Sequence, residues 1–236
     1  MIDHYDWAGG REAMLRFGPD TGPVVVAAMP LLEEWNRTRT FAVTLLRALA
    51  ECGVASVLPD VPGHGESLLA IADQTVPRLA EALGDASDSL NAQGRPTYAL
   101  GIRSGALLDR CGPYRGRWHF SPVAGVDMLR DLHRVWLTSE RFAADRSLDA
   151  MMSGDKRVAI AGTDLSADFL SSLTVAEPFD EPGVARRIVR LTSDPRPADR
   201  RVEGVPLWRR AEPGNDPALA AVLADDIAAW IKTCAG

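Results

Sequence analysis

The sequence is poor in cysteine and histidine, and this limits the chemistry that it can carry. Its 236 residues include only three cysteines and four histidines. Three cysteines are an odd number, and their spacing does not match a metal site. Cys52 and Cys111 are expected to be small buried residues, because free cysteine is among the most buried residue types. The sequence therefore predicts a reducing, cytoplasmic location, with no metal and no cofactor.

The chain also lacks a long apolar run and an excess of basic residues. No stretch approaches the roughly 20 apolar residues that a membrane-spanning helix requires. The net charge is −6, whereas a nucleic-acid-binding surface would be basic. Residues 1–10 have no basic n-region, so a secretory signal is not expected. Apolar residues make up 46% of the chain, which is enough for one sizeable core, and a single domain over 1–236 is predicted.

Apolar runs alternate along the chain with segments that have helical periodicity. Uninterrupted apolar runs suit central parallel strands that are covered on both faces. Such runs occur at 23–29, 54–58, 97–100 and 118–121. Amphipathic helices are expected at 41–49 and 75–91. This alternation predicts an α/β protein with a mostly parallel, doubly wound sheet and helices on both faces.

The remaining segments complete the predicted fold. Further strands are expected at 11–17, as an antiparallel edge strand, and at 187–191 and 205–208. Residues 196–203 are charged and contain proline, so a solvated loop is expected there. Residues 125–180 lie between core strands, where a small helical cap would be inserted. Asp216 and Pro217 are expected to begin the last helix as N-cap and first helical residue.

Three motifs resemble those of the α/β hydrolases. The first, P-D-V-P-G-H-G-E-S at 59–67, is similar to the D-x-P-G-H-G-x-S loop that follows an early strand in that superfamily. The second, G-I-R-S-G at 101–105, has the small residues of a nucleophile elbow at a strand-to-helix junction. The third is the apolar strand that ends in Met29 and Pro30, where an oxyanion-hole loop belongs. Their order and spacing imply the α/β-hydrolase fold, with 63–66 in a loop at the carboxyl edge of the sheet.

A narrower resemblance covers about residues 23–230. L-L-E-E-W-N-R-T-R at 31–39 is similar to the E-E-x-N-[KR]-[ST]-R signature of the exosortase A system-associated hydrolases. G-I-R-S-G-A at 101–106 and S-P-V-A-G at 121–125 resemble their G-L-R-x-G-A and Q-P-V-x-x-G segments. The resemblance implies a bacterial protein that is encoded alongside exopolysaccharide and protein-sorting machinery. It does not imply a particular substrate.

The residues that normally make this fold an esterase are missing from their expected positions. The middle residue of the elbow is Arg103, whose guanidinium stays protonated and cannot attack a carbonyl. Ser104 lies one residue late for a nucleophile, although its backbone N–H would still serve an oxyanion hole. No histidine follows the last predicted strand, and the glycine-rich loop offers only His64. Asp194 lies where the triad acid commonly lies, but an acid without a histidine to orient has no triad role.

A cluster of polar residues lies between the predicted strands at 23–29 and 54–58. The segment 31–39, expected to be a polar loop, should lie over the strand ends near Arg103, where ligands of open α/β sheets bind. Its charged and amide residues are Glu33, Glu34, Asn36, Arg37 and Arg39. Arg103 among backbone N–H donors would favour an anion. Alternatively, Glu33 or Glu34 neutralises Arg103, and the pair is a structural plug.

Three functions fit these features. The first is a hydrolase with a non-triad site that positions an acyl or glycan-linked substrate, with the catalytic candidates Glu33, Glu34, Arg103, Ser104 and Asp194. The second is a non-catalytic binder of an anionic small molecule or lipid, with the binding candidates Asn36, Arg37, Arg39, His64 and Arg103. The third is a partner-binding subunit, which should expose an apolar patch and fill its pocket. An open pocket with Arg103 at its floor would favour the first two.

Overall fold

The computed structural model describes residues 1–139, 145–152 and 157–234. The strands in these residues are β1 (Ile2–Trp7), β2 (Gly10–Phe17), β3 (Val24–Ala28), β4 (Ala55–Pro59), β5 (Thr97–Ile102), β6 (Gly116–Phe120), β7 (Val158–Ile160), β8 (Thr163–Leu165), β9 (Ala185–Leu191) and β10 (Arg200–Val202). The helices are α1 (Glu33–Glu51), α2 (Val76–Ala92), α3 (Gly125–Ser139), α4 (Leu148–Met152), α5 (Ala167–Leu173) and α6 (Pro217–Cys234). Among these helices, none combines the length and the apolar character that a membrane crossing requires.

Eight of these strands form one sheet in the order β1-β2-β4-β3-β5-β6-β9-β10. Every neighbouring pair from β4 to β10 is parallel. The pairs β1–β2 and β2–β4 are antiparallel. Strands β7 and β8 form a separate antiparallel hairpin. The predicted mostly parallel sheet is therefore confirmed.

The central strand β3 shows how the sheet is buried. All five of its residues are buried. Val24, Val26 and Ala28 belong to the core layer that contains residues of α2, α3 and α5. Val25 and Ala27 belong to the opposite layer, which contains residues of α1 and α6. A continuous run of valine and alanine is typical of a parallel strand with helices on both faces.

The predicted polar loop at 31–39 is wrong, because α1 already begins at Glu33. Glu33 and Glu34 occupy the first turn, where the helix dipole favours acidic side chains. The same helix buries Phe41 and Leu45 further along. The first two turns carry few apolar residues, so the sequence pattern did not show that the helix extends this far.

The last strand is also not where the sequence predicted it. Residues 205–208 were expected to form it, but Leu207–Arg209 form a short 3₁₀ turn. The strand is β10, inside the segment 196–203 that was expected to be a loop. Only Val202 of β10 is buried, so the strand has almost no apolar signal. The strand at 11–17 is antiparallel as predicted, but β1 lies outside it and forms the sheet edge.

The two cysteines that were expected to be buried are more accessible than predicted. Cys52 is exposed, and Cys111 is partly exposed. Cys52 is the first residue after α1, and its Sγ lies 3.5 Å from Asp225 on α6. A position just beyond a helix end lies at the protein surface, where the general burial preference of cysteine does not apply.

The chain between β6 and β9 contains α3, α4, the β7–β8 hairpin and α5. This is the segment 125–180 for which a cap was expected, and parts of it, 140–144 and 153–156, lie outside the described residues. Leu129 and Trp136 of α3 and Phe169 of α5 belong to the same core layer as α2. The assignment of this segment as an inserted cap stays a prediction.

One buried carboxylate joins α6 to three strands. Asp226 is 5% exposed and accepts hydrogen bonds from Trp118 Nε1 of β6 at 2.9 Å. Arg187 of β9 donates to both carboxylate oxygens, each at 2.8 Å. Arg200 of β10 donates at 2.5 Å. The short β10 is therefore attached to the core by this charge pair as well as by the burial of Val202.

Candidate active site

Three loops meet at the carboxyl edge of the sheet, because they follow the parallel neighbouring strands β3, β4 and β5. The Leu31 N–H of the first loop donates to Ser104 Oγ of the third at 2.9 Å. The Leu32 N–H donates to His64 Nε2 of the second at 3.0 Å. The three motifs that were separate in the sequence therefore form one site.

The turn after β5 has the close approaches expected of an elbow. Arg103 directly follows β5 and has a positive φ of 55°. A Cβ atom on Gly105 would lie 2.1 Å from the carbonyl oxygen of Ala28, and one on Gly101 would lie 2.6 Å from Cα of Ala106. Real Cβ atoms do not approach other atoms so closely, so both positions require glycine.

The Arg103 side chain is buried and has three protein partners, Glu34, the Ser121 carbonyl and the Trp208 ring. Its Nε and Nη2 donate to the two carboxylate oxygens of Glu34, each at 3.1 Å. Its Nη1 donates to the carbonyl of Ser121 at 3.2 Å. Its guanidinium carbon lies 4.5 Å from the centroid of the Trp208 ring. The cation that replaces a nucleophile is thus neutralised by one bidentate ion pair, which is the strong geometry for such a pair.

The backbone donors of the first loop are also engaged. Ser104 Oγ accepts the Leu31 N–H, and Ser104 is 2% exposed although it is one of the residues that line the cavity described below. His64 Nε2 accepts the Leu32 N–H, which requires the ring proton to be on Nδ1, 3.4 Å from the Pro62 carbonyl. Burial lowers the pKa of His64, so the ring is neutral. Both acceptor atoms therefore fix the first loop against the other two loops.

Asp194 is held by arginines and has no contact with a histidine. It follows β9, and its carboxylate accepts hydrogen bonds from Arg190 at 2.9 Å and from the Arg196 side chain at 3.0 and 2.9 Å. Burial would raise the pKa of the Asp194 carboxyl, but the hydrogen bonds from these two arginines hold that pKa well below its usual range. It does not line the cavity described next.

A cavity of about 570 Å³ opens beside Arg103. Its apolar walls are formed by Leu31, Leu32, Val123, Met128, Leu132, Val135, Ile160, Ala161 and Trp208. Its charged lining residues are Glu33, Glu34, Arg37, Arg103, Asp131, Arg134 and Arg209. The sequence did not indicate the contributions of α3, the hairpin and the 3₁₀ turn. Met128, Leu132 and Val135 follow helical spacing, which equally indicates ordinary core packing.

The polar residues of α1 separate onto two sides of the helix. Glu33, Glu34 and Arg37 line the cavity, whereas Asn36 and Arg39 line a shallow groove elsewhere. Arg39 pairs with Asp60 at 3.2 Å and lies over the ring of Trp35. The expectation that all five polar residues lie near Arg103 is corrected, because helical geometry directs neighbouring residues to different sides.

Backbone strain is concentrated at this site. In the described part of the chain, the non-glycine residues with positive φ are Leu32, Arg103, Ser121 and Ala161. Three of them line the cavity, and the Ser121 carbonyl accepts a hydrogen bond from Arg103. Each such residue costs about 1–3 kcal/mol, and such residues cluster at functional sites. The cavity is therefore the candidate functional site. Within the described ranges, no group of three or more His, Cys, Asp or Glu side chains is placed to hold a metal ion.

Solved structures show which fold this is. No protein-family model matches the chain, and no curated protein matches it. A putative hydrolase from Agrobacterium vitis S4 is 14% identical, with 99% of this chain and 97% of that chain covered and a TM-score of 0.60. Est1E from Butyrivibrio proteoclasticus is 13% identical, with coverages of 99% and 98% and a TM-score of 0.62. A malate-bound thermophilic esterase from Thermogutta terrifontis is 14% identical, with 99% of each chain covered and a TM-score of 0.55. The chain has the α/β-hydrolase fold.

The ion pair at the elbow can be tested with a double-mutant cycle. Arg103→Met is expected to destabilise the protein by about 2 kcal/mol, because Glu34 and the Ser121 carbonyl lose their partner while methionine still packs on Trp208. Adding Glu34→Gln is expected to recover more than half of that loss. Urea denaturation gives the free energy of unfolding of the unmodified protein, of the two single variants and of the double variant. A coupling energy near zero between Arg103 and Glu34 would contradict this account.

The control is a second ion pair, which lies on α1, the helix that also carries Glu34. Arg37 and Glu33 are 2.6 Å apart, but their side chains are 25% and 53% exposed. The same cycle with Arg37→Met and Glu33→Gln is expected to show a coupling below about 0.5 kcal/mol, because exposed i,i+4 pairs contribute little.

Proposed function

We propose that this protein binds a small anionic, acyl-containing molecule in the cavity and does not hydrolyse it. One observation carries the proposal. The elbow cation and both N–H groups of the first loop are engaged by other side chains, while the cavity beside them is open. The site thus keeps the binding space of the fold and lacks free catalytic groups.

Ester hydrolysis on this fold needs a nucleophile, a base and an oxyanion hole. Arg103 replaces the nucleophile, and the hydroxyl of Ser104 accepts a backbone hydrogen bond. His64 is neutral, and its unprotonated nitrogen also accepts a backbone hydrogen bond. Glu33 and Glu34 are each paired with an arginine, at 2.6 and 3.1 Å. A hydrolase with a non-triad site is therefore the weaker candidate.

The lining of the cavity supports the ligand class. Its volume lies within the roughly 300–1,000 Å³ of sites that bury most of a drug-sized ligand. Its apolar walls suit an acyl chain, and four arginines among its lining residues suit an anion. A partner-binding subunit was expected to fill this space, so the open cavity favours a small ligand. Malate is bound to the Thermogutta terrifontis esterase, which makes organic acids the first ligands to test.

The resemblance to the exosortase A system-associated hydrolases supports a biological setting for this proposal. The shared segments at 31–39, 101–106 and 121–125 contribute residues to the cavity, namely Leu31, Leu32, Glu33, Glu34, Arg37, Arg103, Ser104 and Val123. We therefore propose a bacterial protein that acts in the cytoplasm beside exopolysaccharide and protein-sorting machinery. The three free cysteines support a reducing compartment.

The purified protein is expected to hydrolyse short p-nitrophenyl esters no faster than background and to remain unlabelled by fluorophosphonate probes. The reason is that Arg103 occupies the nucleophile position and that the neighbouring hydroxyl, Ser104 Oγ, already accepts the Leu31 N–H. The Thermogutta terrifontis esterase serves as the positive control for both assays. Stoichiometric labelling at Ser104, detected by mass spectrometry of peptides, would overturn the non-catalytic part of the proposal.

Binding itself is tested by calorimetry with decanoate. Leu132→Trp, which puts a larger side chain into the cavity wall, is expected to weaken binding at least tenfold. Val175→Trp is the matched control, because Val175 is 78% exposed and does not line the cavity. Equal affinities of both variants for decanoate would place binding outside the cavity.

A further inference from the structure

We infer that the acid group of the ligand is bound at the rim of the cavity by Arg209 and not at the elbow by Arg103. This inference rests on the proposed function, because it concerns the orientation of a ligand in the same cavity. It starts from the partners of the four arginines that line the cavity. Among the described residues, Arg209 alone of these four has no acidic partner.

The other three arginines are already neutralised. Arg103 makes a bidentate pair with Glu34 and donates to the Ser121 carbonyl. Arg37 pairs with Glu33 and donates to the Trp208 carbonyl at 3.1 Å. Arg134 pairs with Asp131 at 2.7 Å. A ligand anion that bound any of them would share the guanidinium with a carboxylate that is already in place, whereas no such carboxylate competes at Arg209 among the described residues.

Displacement is most costly at the elbow. The Arg103 side chain is 8% exposed and the Glu34 side chain 26% exposed, so a displaced Glu34 carboxylate would be only partly rehydrated. Arg209 is exposed, so a ligand anion can reach it and only water is displaced. Anion binding therefore favours Arg209 over Arg103.

The position of Arg209 is fixed by its short turn. The Arg209 N–H donates to the Pro206 carbonyl at 3.0 Å. The preceding Trp208 is buried, with its ring against Arg103 and against Phe120. The backbone of the turn is therefore held, while the side chain of Arg209, a lining residue of the cavity, is exposed.

The surroundings of Arg209 define the ligand class. The described lining residues carry three carboxylates and four guanidinium groups, which leaves a net charge of +1 at the cavity. The inner wall is apolar at Leu31, Val123 and Ile160. An amphipathic anion fits this arrangement, with its apolar chain inward and its carboxylate or phosphate monoester at Arg209.

The test compares Arg209→Gln with Arg210→Gln. Arg210 is the next residue, is also exposed and does not line the cavity. Calorimetry with decanoate is expected to show affinity about tenfold lower for Arg209→Gln, equivalent to about 1.4 kcal/mol. Arg210→Gln is expected to stay within about twofold of the unmodified protein. Equal losses in the two variants, or no loss in either, would overturn the assignment.

Ligand variants separate the head group from the chain. Decanol, which has the same chain and no charge, is expected to bind the unmodified protein and Arg209→Gln equally. Decyl phosphate is expected to show the same loss as decanoate, whereas inorganic phosphate is expected not to bind measurably because it has no chain. A loss of decanol affinity in Arg209→Gln would mean that the substitution disturbs the apolar wall, and would overturn the role of Arg209 in binding the acid group.

Binding of the acid group by Arg103 instead of Arg209 can be distinguished experimentally from a failure of the proposed function. The double variant Arg103→Met/Glu34→Gln, which removes a charge pair from the cavity lining, is expected to lose less decanoate affinity than Arg209→Gln. If it loses decanoate affinity while Arg209→Gln does not, the anion binds at the elbow and the inference is wrong, although ligand binding stands. If neither decanoate nor decanol nor decyl phosphate binds the unmodified protein, both the proposed function and the inference are overturned.

Discussion

Asp226→Asn is expected to lower the free energy of unfolding by about 3 kcal/mol, at the lower end of what breaking a buried ion pair costs. All of the described contacts to both carboxylate oxygens come from donors, namely Arg187, Arg200 and Trp118 Nε1. An asparagine amide can offer an acceptor at one position only, so its NH₂ group would face donors at the other. Arg187 and Arg200 are 29% and 39% exposed, and their partial rehydration keeps the cost from being larger. Urea denaturation at neutral pH measures the loss.

Asp225→Asn is the matched control, because Asp225 is the preceding residue of α6 and is exposed. Its effect is expected to stay within about 0.5 kcal/mol. A loss in Asp225→Asn as large as that in Asp226→Asn would show that helix charge, and not the buried contacts, is responsible.

The pH dependence of the Asp226→Asn effect follows from the same contacts. Burial raises the pKa of the Asp226 carboxyl, but the hydrogen bonds from Arg187, Arg200 and Trp118 outweigh it and lower the pKa below 3.8. A carboxyl whose pKa is lower in the folded state stabilises the protein fully above its unfolded-state pKa. This stabilisation is lost as the pH falls toward the folded-state value. The stability difference between the unmodified protein and Asp226→Asn is therefore expected to be largest at neutral pH and to shrink below about pH 4.

Gly105→Ala is expected to destabilise the protein by about 3 kcal/mol or more, or to prevent folding. The new Cβ would lie 2.1 Å from the Ala28 oxygen and 2.7 Å from the Ala28 carbonyl carbon and the Met29 oxygen. These are backbone atoms of the central strand and its loop, so the contact cannot be relieved by rotating a side chain. Overpacking of a rigid core typically costs about 1–3 kcal/mol, and a backbone clash lies at or above the upper end of that range. Soluble yield and urea denaturation measure the effect.

Gly214→Ala is the control for this substitution. A Cβ at Gly214 would meet Nη1 and Cδ of Arg210 at 2.9 and 3.2 Å, which belong to a flexible exposed side chain. Its effect is expected to stay within about 0.5 kcal/mol. If Gly105→Ala were as stable as Gly214→Ala, the turn after β5 would not have the close elbow geometry described above.

Much of the sheet could be predicted from the sequence because its central strands carry a strong local signal. The buried runs at β3, β4 and β5 contain almost only apolar residues, and a parallel strand covered on both faces requires such a composition. β10 could not be predicted in the same way, since two of its three residues are arginines and its attachment depends on Asp226 of a distant helix. The start of α1 was missed because its first turns are polar on the sides that face the cavity and solvent.

The sequence by itself determined the central parallel strands β3, β4, β5 and β6, the glycines of the elbow and the presence of Arg103 where a nucleophile is expected. These features depend on residue type and local spacing, which can be read along the chain. Only the tertiary structure decided that Glu34 pairs with Arg103. The same holds for Ser104 and His64, which accept the N–H groups of the first loop. It also holds for Arg209, which has no acidic partner among the described residues. The contacting residues of the first three are 69, 73 and 32 positions apart in the chain. Such contacts depend on how the strand ends and helices are placed against one another, and local periodicity carries no information about distances of that kind.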